Sequence, residues 1–127
     1  MKRLVFSLMV ITIFISYTSC KKNGIDDGPG EVYGKWKLTE TLADPGDGSG
    51  KYIKVKEAKY LIVSRTGKIE GDALPDLSDF KIIDSLTMEV TSKTYNRTLP
   101  YRYKATANSL TLNPPCFEGC GFRFIRQ

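Results

Sequence analysis

The sequence predicts an all-β fold, an antiparallel up-and-down (meander) barrel of about eight short strands that follows an N-terminal signal helix. Three observations predict it. From Tyr33 onward, apolar and polar residues alternate with a period of two. Clusters of Gly, Pro, Asn and Asp cut this alternation into short runs joined by short links. No stretch after the leader repeats apolar residues at helical spacing. Such a set of short strands suits a barrel or a sandwich, and the short links favour a meander over a Greek key.

The chain begins with a leader. Lys2 and Arg3 form a positive n-region, and Leu4 to Tyr17 follow without a charge. This run is well short of the ~20 apolar residues that a membrane-spanning helix needs, so it reads as the h-region of a signal peptide. Thr18 and Ser19 are small, and Cys20 comes next. A cysteine directly after small residues at the end of an h-region looks like a lipobox, although Tyr17 is bulkier than the usual residue there. Residues 1–19 are therefore expected to be a lipoprotein signal peptide and Cys20 the lipidated first residue of the mature chain. Residues 20–32 are rich in Gly, Pro and charge and read as a tether. Within it, Asp26 and Asp27 fit either linker solvation or a sorting signal. Residues 33–127 form the one expected domain.

Each element has its own signal. Trp36, Leu38, Glu40 and Leu42 share one face of a first strand, and Lys35, Lys37, Thr39 and Thr41 share the other. Residues 44–50 form a loop dense in turn formers, read as a flexible hairpin loop. Short strands are expected at 52–55 and 59–64, with Arg65-Thr66-Gly67 turning the latter into 68–70. Residues 72–79 read as loop. Phe80 to Ile83 form a strand, and Asp84-Ser85 turn it. Leu86, Met88 and Val90 then face inward. Leu99, Tyr101, Tyr103 and Ala105 line the next strand, and Ala107-Asn108 lead into Leu110 and Leu112. Asn113 to Gly121 make a turn rich in Pro and Cys, and Phe122 to Arg126 close the domain.

Composition narrows the chemistry. Removing Lys2 and Arg3 with the leader lowers the formal net charge from +5 to +3. That mild, interleaved charge does not suggest a nucleic-acid partner. The chain has no histidine, so it lacks the commonest general base and transition-metal ligand. No Gly-x-Ser-x-Gly, phosphate loop or metal-ligand cluster is present, and neither an enzyme nor a cofactor is expected. Asp44 and Asp47 lack the ligand order of a calcium loop. With Cys20 assigned to lipid, Cys116 and Cys120 remain as an even pair in an oxidising compartment. Zinc would require further ligands, and a redox motif is usually one residue shorter. A structural disulfide is the expectation.

Gly34-Lys35-Trp36 opens the first strand, and the domain ends Gly121-Phe-Arg-Phe-Ile-Arg-Gln127. The first motif resembles the Gly-x-Trp of lipocalins. With the 44–50 loop and Cys116-Phe-Glu-Gly-Cys120, the ordered set resembles small bacterial lipocalin-like lipoproteins over residues 33–126. The resemblance implies a barrel-closing group in which an Arg packs across Trp36. Arg123 or Arg126 fits, and period-2 parity places Arg126 on the inward face with Phe122 and Phe124. It also implies an outer-membrane, lipid-anchored location in the cell envelope. The strands are shorter than in true lipocalins, and no C-terminal helix is evident.

Two functions follow as expectations. One is a monomeric binding barrel for a small hydrophobic ligand. Its candidate contacts are Glu40, Phe80, Met88, Tyr101, Tyr103 and Phe124, within a wider inward set that any core of this size would need. Glu40 would require a partner if it points inward, or would sit at the rim. The alternative is an envelope module with a filled core that meets a protein or glycan through its surface.

Overall fold

The computed structural model describes residues 32–127. The expected signal helix, lipidation site and nearly all of the tether lie outside them. Nine strands occur among the described residues: β1 (Gly34–Ala43), β2 (Lys51–Lys54), β3 (Tyr60–Val63), β4 (Ile69–Glu70), β5 (Leu77–Ile82), β6 (Thr87–Ser92), β7 (Arg97–Ala105), β8 (Ser109–Asn113) and β9 (Cys120–Arg126). All pair antiparallel, in the order β4-β3-β1-β9-β8-β7-β6-β5. β3 pairs the first part of β1 and β2 pairs its second part. Together they fill one position, so the sheet is an eight-position meander that curls into a nearly closed barrel.

Closure is completed between β4 and β5 by little backbone. Lys68 and Asp79 form a single bridge, and the Phe80 amide donates to the Gly67 carbonyl at 2.9 Å. The Lys68 ammonium pairs with the Asp79 carboxylate across the same seam.

The period of two brings Trp36, Leu38, Leu61, Val63, Ile69, Leu77, Met88, Val90, Tyr101, Leu110, Leu112 and Phe124 into one buried core. Trp36, Leu61, Val90 and Leu110 are fully buried. One end of the barrel carries Val32, the β3–β4, β5–β6 and β7–β8 turns, and Gln127. The other carries the β1–β2, β4–β5, β6–β7 and β8–β9 loops.

Departures from strict alternation have local causes. A bulge between Leu38 and Glu40 shifts the β1 register against β9. The inserted residue reverses parity beyond it, so Glu40 leaves the face of Trp36 and Leu38. A second bulge, between Leu77 and Asp79, shifts β5 against β6. It lets Leu77 point inward together with Phe80, and residues 77–79, expected as loop, belong to the strand. Leu86, expected inward, is exposed. It lies in the β5–β6 turn, where the Asp84 carboxylate accepts from the Leu86 and Thr87 amides at 2.8 and 2.7 Å. Tyr103 donates its hydroxyl to the Asp84 carbonyl at 2.9 Å and stays at that end.

The 44–50 loop is organised by its own side chain. The Asp44 carboxylate accepts from the amides of Gly46, Gly48 and Gly50 at 2.8, 3.1 and 3.0 Å. These donors, Gly46 first, hold the Asp44 carboxyl below its ordinary value of 3.8. Cys116 and Cys120 form a disulfide, with Cα atoms 6.0 Å apart. It closes the loop that delivers the chain to β9.

Candidate functional site

The two ends of the barrel differ in construction. At the first, Trp36 fills the barrel and donates its indole N–H to the Val32 carbonyl at 2.8 Å. The Arg126 guanidinium lies 4.2 Å from the Trp36 ring centroid. It also donates to the Ala107 carbonyl at 2.7 Å and the Tyr33 carbonyl at 2.8 Å. One planar cation thus ties the approach to β1, the β7–β8 turn and the indole face into a plug. Gly34 sits beside this plug, opposite Val63. Arg123 faces elsewhere, 3.0 Å from the Glu40 carboxylate and 3.5 Å from the Tyr52 ring centroid. The Glu40–Arg123 pair is half in solvent and is worth at most ~1 kcal/mol.

At the opposite end the wall is incomplete. The Tyr103 amide donates to the Leu86 carbonyl, so odd-numbered β7 residues direct their backbone groups at β6 and even-numbered ones at β8. The β7–β8 ladder stops at Arg102 and Asn113. Beyond it the chain reads Pro114-Pro115, and neither residue has an N–H to continue pairing. The β8–β9 segment leaves β7, and a cleft of about 570 Å³ opens between Arg97–Tyr101 and Pro114–Cys116, with Asp76 and Tyr95 at its edge. Its volume is that of a small-molecule site.

Asp76 anchors this rim. Its carboxylate accepts from the hydroxyl of fully buried Ser92 at 2.6 Å and from the Thr94 amide at 2.7 Å. The Ser92 hydroxyl in turn accepts from the Tyr95 amide at 3.2 Å. The Asp76 carboxyl is held below its ordinary 3.8, first by Ser92 and then by Thr94. Tyr101 is 8% exposed, and its hydroxyl makes no hydrogen bond among the described residues. Burial first, and the Asp76 charge second, raise its pKa above the ordinary 10.0, so it stays an O–H donor at neutral pH.

The network predicts an acid response. Since the folded-state pKa of Asp76 is depressed, its contribution to stability is present above the unfolded value and is lost as pH falls through the folded one. Melting temperature is expected to decline below about pH 4. Asp76→Asn should melt lower at neutral pH and show a shallower acid decline, as a pH series of thermal melts would measure.

Of the six candidate contacts read from sequence, only Tyr101 lines this cleft. Met88 and Phe124 are buried in the core. Phe80 packs at 6.1 Å from Tyr33, and Tyr103 lies at the plugged end. Glu40 borders shallow grooves on the outer wall. The structure therefore does not gather the six into one site. Asp76, Tyr95, Arg97, Thr98 and the prolines were not anticipated. Pro100 inside a β run and the Pro114-Pro115 pair are the sequence marks of the missing ladder.

Among the described residues no group of acidic and cysteine side chains could hold a metal ion. Compared with family models, with curated proteins and with solved structures, the chain matches none.

Proposed function

We propose that this chain is an exported lipoprotein, held at the outer membrane through lipidated Cys20, whose lipocalin-like barrel binds a small ligand at its unplugged end. The observation that carries the reading is Tyr101, a nearly buried residue that lines a 570 Å³ cleft and whose solvent-accessible hydroxyl has no protein partner among the described residues. Such a donor gains a hydrogen bond only from water or a ligand. The buried core occupies the barrel interior, so the ligand sits at the rim rather than deep inside. The lipobox-like leader and the resemblance at Gly34-Lys35-Trp36 supply the remainder of the proposal.

Native mass spectrometry of the full chain, extracted in detergent from the producing organism's envelope, tests both parts. The expected mass is that of residues 20–127 plus several acyl chains, with a small molecule retained. Cys20→Ala should leave the acyl mass behind. An unacylated chain would overturn the anchor, and an apo mass with no melting shift across a small-molecule panel would overturn the ligand site.

One observation favours the second reading, an interaction module. Phe117 stands fully exposed in the disulfide-closed loop, at the same end as exposed Tyr95. A ring held in solvent by a short covalent loop is a suitable anchor for a partner protein.

A further inference from the structure

We infer that the ligand of the unplugged end is a saccharide, bound by its hydroxyls and its C–H faces in the cleft between β7 and Pro114-Pro115. This inference rests on the ligand-site reading above and adds the chemical class.

The argument starts from the groups that face the cleft. Even-numbered parity turns the Thr98 N–H, the Thr98 carbonyl and the Pro100 carbonyl toward the missing part of β8. The Tyr101 hydroxyl supplies a second donor. Asp76 already receives two hydrogen bonds, and a carboxylate has about four acceptor positions, so it can take more. Arg97 adds a planar donor fork. The residues that line the cleft therefore carry both donors and acceptors. Between them lie flat apolar faces: the Tyr95 ring, 64% exposed, and the pyrrolidine rings of Pro100, Pro114 and Pro115. Sugar rings match this pattern, because each hydroxyl both donates and accepts and the axial hydrogens present an apolar face.

Other classes fit less well. An extended peptide adding to β7 needs a row of backbone partners, and Pro100 leaves Thr98 as the one N–H in the gap. An anion would meet the Asp76 carboxylate and two carbonyls as well as the one Arg97 cation. A plain hydrocarbon would offer the Tyr101 hydroxyl no partner and would displace water from the free acceptor positions of Asp76, which is costly.

The test is isothermal titration calorimetry on the full chain in detergent, with maltotriose, cellotriose and triacetylchitotriose as probes. At least one should bind. Tyr101→Phe removes only a hydroxyl that has no protein partner among the described residues, so its melting temperature should stay at the wild-type value while affinity falls about fivefold to tenfold. Tyr95→Ala, at an exposed position, should weaken binding by a similar factor. If a compound of the small-molecule panel that is not a saccharide binds and no saccharide does, the class is wrong and the site stands. If no probe of any class binds, both readings fail. Saccharide binding untouched by either substitution would place it elsewhere and overturn the inference.

Discussion

Replacing Trp36 by alanine is expected to lower the free energy of unfolding by about 3–5 kcal/mol. A domain of this size has about 5–15 kcal/mol in total, so the loss removes about a fifth of it or more. Trp36 is fully buried at the plugged end, and the truncation leaves a cavity and two groups without their partner. Arg126 loses the face it stacks on, and the Val32 carbonyl loses its donor. Urea unfolding followed by far-UV circular dichroism measures the change. Trp36→Phe separates the contributions: it keeps an aromatic face and loses the indole N–H, for an expected cost of about 1–3 kcal/mol. An alanine midpoint equal to wild type would mean that the plug contributes nothing to stability.

Gly71→Ala is the second large effect, although it removes no contact at all. Gly71 has φ +109°, and a Cβ there would stand 2.2 Å from the Tyr60 carbonyl oxygen. That oxygen is already engaged, accepting from the Ala73 amide at 3.0 Å, while the Asp72 carboxylate accepts from the Tyr60 amide at 2.7 Å. The bend is clasped from both sides and cannot shift away from the methyl group. Backbone strain plus overpacking gives an expected cost of about 2–5 kcal/mol. Gly48→Ala is the matched control. Its φ is +77° and nothing lies within 4 Å of its Cβ position, so only the left-handed conformation is penalised, by about 1–2 kcal/mol. Similar losses for the two variants would show that the approach to Tyr60 is irrelevant.

The period-2 pattern was enough to foresee a meander and most of its inward residues, since Met88, Val90, Tyr101, Leu110, Leu112 and Phe124 all reach the core. It failed where an inserted residue changes phase. Glu40 and Leu77 follow from the bulges, and a bulge leaves no composition signal when the extra residue is Thr or Ser. An Arg packed across Trp36 was expected from the resemblance at Gly34-Lys35-Trp36, and parity along the last strand favoured Arg126 over Arg123 for that place. The cleft was not expected. It depends on β8 ending one residue before two prolines, and on Asp76 and Tyr95 arriving from loops whose partners are distant in sequence. Loop residues acquire their neighbours only when the strands are in register.

The longest seam of the barrel joins β1 to β9, running from Trp36↔Arg126 to Ala43↔Cys120. At its end the Arg126 side chain reaches the Tyr33 carbonyl, 93 positions away in sequence. The other neighbouring pairs join residues much closer in sequence, the widest being Gly34 and Val63 in β1 and β3. Chain-entropy cost must therefore be met for nearly the whole domain before this seam can form, and non-local pairing of this kind slows folding. A chain emerging N-terminus first holds one side of β1 unpaired until β9 arrives, exposing an edge able to join a second chain. Refolding should accordingly be limited by docking of the last strand. Yield on refolding should fall as protein concentration rises, even though the finished barrel buries that edge.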